Sequence, residues 1–144
     1  MELGIILIIL ALFIAAYIDL NKREIPDWIT YPLIVIGFLS SLFPATFINI
    51  IFAAVFFIIG YIAYNKKILG GGDVKLITGI ILMLPAQYAS IDFIITFLFL
   101  SCICALGYYV VAILLKKEKL NISATIPLAP CIMIGFIATL VGLI

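Results

Sequence analysis

Apart from Glu2 and Asp92, charge in this chain is confined to a few short clusters, and the stretches between them are apolar and long enough to form helices. Residues 3–18 are unbroken apolar sequence ending at Tyr17-Ile18-Asp19-Leu20, followed by the polar run Asn21-Lys22-Arg23-Glu24-Ile25-Pro26-Asp27. Further clusters stand at Asn65-Lys66-Lys67, at Asp73 and Lys75, and at Lys116-Lys117-Glu118-Lys119. Charged residues make up 10% of the 144 and hydrophobic ones 67%, against roughly a quarter charged in a soluble domain. A chain built this way has too little polar surface to be water-soluble and is expected to lie in a lipid bilayer. In hydrocarbon every backbone amide must be bonded within the protein, which restricts spanning segments to helices or closed barrels. Apolar runs of this length favour helices.

Six helices are expected. The first covers 3–18, about 24 Å at about 1.5 Å per residue, and leaves Asp19 near one membrane face. The second starts at Pro26 or Asp27, since proline suits a first helical turn, and runs to Phe43 with a kink at Pro32. Trp28 and Tyr31 suit the interface. The third spans 46–64 and the fourth runs from Asp73 or Val74 to Leu84, where Pro85 ends it. A fourth helix of that length is too short to cross alone, so the glycine segment before it is expected to dip into the protein-lined interior. The fifth fills 91–115 and the last 126–144. No linker divides the chain, so residues 1–144 are expected to form one domain: an all-α polytopic membrane protein with six transmembrane helices in one bundle. Met1-Glu2 offers no basic segment ahead of the first apolar run, which argues against a cleaved signal peptide.

With this topology all eight Lys and Arg residues fall on one side. Basic loops stay in the cytoplasm, which places the charged clusters there and both termini outside. Asp19 and Asp73 then share the cytoplasmic face. A net charge of +1 gives no reason to expect nucleic acid as a partner. There is no histidine, and Cys102, Cys104 and Cys131 form no CxxC pair, so neither a metal site nor a Cys/His nucleophile is expected. Apolar burial is the expectation for all three cysteines.

An ionisable group among membrane segments is costly and marks a functional site. Asp73 follows Gly70, Gly71 and Gly72, and glycines allow close approach of backbone to a neighbour or ligand. The other acids have plainer readings. Asp27 and Asp92 suit helix starts, and Glu24 and Glu118 sit among basic residues. Asp73 by itself could be a helix cap. Paired with Asp19 it could form an aspartyl protease dyad, in which one carboxylate activates water and one carboxylic acid polarises the scissile carbonyl. Helix fields would make Asp73, at a helix start, the carboxylate and Asp19, at a helix end, the acid. Lys75, two residues on, points elsewhere; snorkelling is its plain role and tuning of the dyad a further one.

The segments Asp19-Leu20-Asn21-Lys22-Arg23-Glu24-Ile25-Pro26-Asp27-Trp28 and Gly70-Gly71-Gly72-Asp73-Val74-Lys75 resemble the type IV prepilin peptidase family, which includes archaeal preflagellin peptidases within the GxGD membrane proteases. Ile126-Pro127-Leu128-Ala129-Pro130 is similar to the start of that family's last helix. The resemblance implies cleavage of the short basic leader of prepilin-like or preflagellin substrates at the cytoplasmic membrane face. It maps the catalytic aspartates onto Asp19 and Asp73, the motif glycines onto Gly70 and Gly72, and requires no cofactor. The paired CxxC zinc segment of the larger bacterial enzymes is missing, and the methyltransferase activity of many of them is not implied. Presenilin-type proteases share GxGD, but their Tyr-Asp and Pro-Ala-Leu motifs are absent. Two other classes remain open on the residues alone: a carrier relaying protons or ions through the two carboxylates, and a non-catalytic assembly subunit.

Overall fold

The computed structural model describes residues 2–114 and 127–142. The Lys116–Lys119 cluster and the expected helix start at Ile126 lie outside the described residues. Six α-helices follow in order: α1 Glu2–Lys22, α2 Asp27–Ser41, α3 Ile48–Asn65, α4 Gly71–Met83, α5 Ile91–Leu114 and α6 Ala129–Gly142. Short 3₁₀ turns at Pro44–Thr46 and Ala86–Tyr88 complete the order, with no strand among the described residues. The all-α architecture read from the sequence is therefore present.

Among the described residues, three stretches are long and apolar enough to cross a membrane: Leu3–Lys22, Pro44–Asn65 and Ile91–Val111. They expose large apolar side chains such as Phe13, Ile51, Val55, Ile58, Phe99 and Leu106. Apolar surface on that scale suits lipid rather than water. The chain is a membrane protein.

At the centre stands α4, the shortest helix. Val74 and every residue from Leu76 to Met83 are buried, as expected for a helix that is apolar all round. Since lipid is as apolar as the core, helices in a membrane associate through close packing and small residues. Here α2 meets α4 through Gly37 and Gly79: a Cβ on Gly37 would stand 2.8 Å from Leu82 Cβ, and one on Gly79 2.9 Å from Leu33 Cδ2. α5 and α6 join through Phe93, Phe97 and Phe136. Phe136 meets the other two rings edge-on, with centroids 5.9 and 5.7 Å away, the favoured aromatic geometry.

The two ends of the bundle differ. At one end α4 finishes before Pro85, leaving carbonyls that α2 and α3 satisfy. Ser41 Oγ donates to the Leu82 carbonyl at 2.6 Å, and Asn49 Nδ2 to the Leu84 carbonyl at 2.7 Å. Gly4, near the start of α1, lies beside the Met83 carbonyl at this same end. At the other end the close of α1 and α3 meets the start of α2, α4 and α6. Lys22, Arg23, Lys66, Lys67 and Lys75 are all here, as the one-sided charge distribution requires.

Candidate active site

Asp19 is carried by the buried stripe of α1. Ile8, Leu12, Ala15 and Asp19 follow at steps of four, three and four residues and are all buried, Asp19 with 5% of its surface exposed. The helix runs on to Lys22, so Asp19 lies within it, a turn from its end, and points into the bundle. Its Oδ2 accepts a hydrogen bond from the Ala129 amide at 2.9 Å, and the Leu128 amide stands beside it. These amides open α6, whose first four N–H groups have no partner inside the helix. The Arg23 guanidinium is within electrostatic reach.

Asp73 sits in the first turn of α4. The helix starts at Gly71, two residues before the expected start at Asp73, and this corrects the reading of the glycines as a dipping loop. Gly70 is the N-cap with extended backbone, Gly71 and Gly72 are helical, and no described glycine has positive φ. The glycines therefore supply space rather than unusual torsions. The Gly70 amide lies near the Asp73 carboxyl, on the side from which the return half of a capping box would reach the third helical residue. A Cβ on Gly70 would stand 2.6 Å from Asp73 Oδ2, and one on Gly72 2.8 Å from Ile25 Cβ, whereas Gly71 meets only the edge of the flexible Tyr64 ring, at 3.3 Å. The first and third glycines of the motif are thus the constrained ones.

The two acids converge. The charge of Asp19 reaches Asp73, and buried Cys131 of α6 is within electrostatic reach of both. Capping accounts for the position of Asp73 alone. It does not account for a second acid brought to the same place by a helix more than fifty residues earlier in the sequence. The assignment of proton by helix field loses its premise, however. Asp19 ends its own helix but receives the N-terminal amides of α6, so both carboxylates face a helix start.

Lys75 turns away from the pair. Its Nζ donates to Asp27 Oδ1 at 2.7 Å and to Tyr31 Oη at 3.4 Å. Asp27 opens α2, as expected, and also forms this ion pair. The cysteine expectation holds for Cys131; Cys102 is exposed and Cys104 part-buried. Sequence reasoning missed the amide of Ala129 as a partner of Asp19. The signal was Pro127-x-x-Pro130, since proline favours the first helical turn.

Residues 6–110 match the type IV leader peptidase family. The chain belongs to that family. The matched segment holds Asp19, the three glycines and Asp73, while α6 lies beyond it. The prepilin peptidase EppA of Methanothermobacter thermautotrophicus is 34% identical over 99 residues, covering 63% of this chain and 26% of that protein. No solved structure matches the chain. No group of three or more His, Cys, Asp or Glu side chains suited to a metal ion occurs among the described residues.

Proposed function

We propose that this chain is a membrane aspartyl endopeptidase that removes the short basic leader of type IV prepilin-like or preflagellin precursors at the cytoplasmic membrane face. Residues 1–144 act as a single peptidase domain with six spans and both termini outside the cell. The observation that carries the proposal is the convergence of Asp19 and Asp73 at the basic end of the bundle, in a chain of the leader peptidase family.

One shared proton makes the pair work. The ionised member takes a proton from water, and the resulting oxygen attacks the scissile carbonyl. The protonated member donates to the carbonyl oxygen, which would otherwise carry the developing charge. Collapse of the tetrahedral species returns a proton to the leaving amine. A pair that shares one proton titrates as a unit, and the Ala129 amide holds Asp19 in place. Gly70 leaves the space beside Asp73 Oδ2 free of a side chain, so that an extended substrate backbone can come close. A proton relay would need carboxylates distributed through the membrane depth, whereas Asp19 and Asp73 share one end.

The test is leader removal from a co-expressed prepilin by the Asp19→Asn and Asp73→Asn variants. Each should insert normally and lose about 10²–10⁴-fold in rate, the usual contribution of general acid–base catalysis. The pH profile of the unaltered protein should be bell-shaped. Activity falls on the acid side as both carboxyls become protonated and on the alkaline side as both ionise. Full cleavage by either variant, or a profile with no acid limb, would overturn the proposal.

A further inference from the structure

Lys75 and Gly72 flank Asp73, and both make contacts to the start of α2. Two positions along a helix differ by about 200°, so Lys75 faces α2 while Asp73 faces the interior. The Lys75 ammonium pairs with Asp27 Oδ1 at 2.7 Å and lies 4.8 Å from the centroid of the Tyr31 ring. Asp27 and Tyr31 are four residues apart, so they present a carboxylate and an aromatic face one above the other on α2. Two residues before Asp27, Ile25 packs on Gly72. The start of α2 therefore grips the first turn of α4 on both sides of Asp73, once by packing and once by charge.

We infer that Lys75, Asp27 and Tyr31 form a latch that positions Asp73 against Asp19. The inference rests on the proposed dyad and adds positioning residues to it. The latch is partly exposed, with Lys75 at 31% and Asp27 at 56% side-chain accessibility. An exposed ion pair contributes little to global stability, so the fold survives its loss. Catalysis responds to far smaller displacements than folding does. Releasing Lys75 leaves packing without charge at this turn, by Ile25 and Tyr64, and lets the turn shift.

Leader cleavage kinetics and amide hydrogen exchange, on the full chain in detergent or membranes, test this. Lys75→Met should lower kcat about tenfold with KM unchanged, and should speed exchange at the amides of Val74 and Leu76. Lys75→Arg should recover most of both, because a guanidinium can pair with Asp27 and stack on Tyr31. Asp27→Asn should match Lys75→Met, and the double variant should be no worse than either single one, as expected for residues acting as one unit. A rise in KM with kcat unchanged would make Lys75 a substrate contact and overturn the latch. Unchanged exchange in Lys75→Met, or additive losses in the double variant, would overturn it too. The exchange measurement needs no substrate. An unaltered chain that cuts no prepilin would count against the proposed function, while the exchange results would still judge the latch.

Discussion

At the scale of single residues, the glycine run separates into positions with different duties. Gly70→Ala should leave the helix intact, since the backbone there is extended and open to any residue. It should cost most of the activity, because its Cβ would displace the Asp73 carboxyl from the cap amide. Gly71→Ala should change stability by no more than about 0.5 kcal/mol and keep cleavage. Gly72→Ala should destabilise by about 1–3 kcal/mol through crowding of Ile25. Thermal unfolding in detergent beside leader cleavage checks all three. That Asp19 and Asp73 lie at one end of the bundle was legible in the sequence, because the basic clusters put both on one side. What holds Asp19 was not. Its amide donor comes from a helix 110 positions later, and a side chain carries no trace of a long-range backbone partner.

At the scale of the helix, α4 is short because its neighbours finish it. Two side chains take up the carbonyls it leaves beside Pro85, so Asn49→Ala should lower stability by about 1 kcal/mol, measured by unfolding in detergent, with the kinetics of cleavage little altered. The sequence conveyed the length of α4 and its stop at Pro85. It gave no warning that Gly71 and Gly72 would be helical, because glycine's low helix propensity argues for a loop. Packing against Ile25 and Tyr64 overrides that preference. The charge clusters were the clearest guide: α1 and α3 end, and α2 begins, within a residue or two of where Lys, Arg or Pro mark a boundary.

At the scale of the whole molecule, the basic end predicts a cytoplasmic orientation that can be checked without any substrate. With the native cysteines replaced, Lys66→Cys should resist a membrane-impermeant maleimide in intact cells and Phe43→Cys should react, because the two positions lie at opposite ends of α3. The reverse pattern would invert the topology. Finally, the hold of α6 on Asp19 means that the segment shared with the leader peptidase family is not self-sufficient. A fragment stopping after α5 would retain both acids and the whole glycine motif, yet leave one acid in lipid with its amide donor gone. The final helix thus works less as a membrane anchor than as half of a socket, and any graft or shortening of this chain has to carry it along.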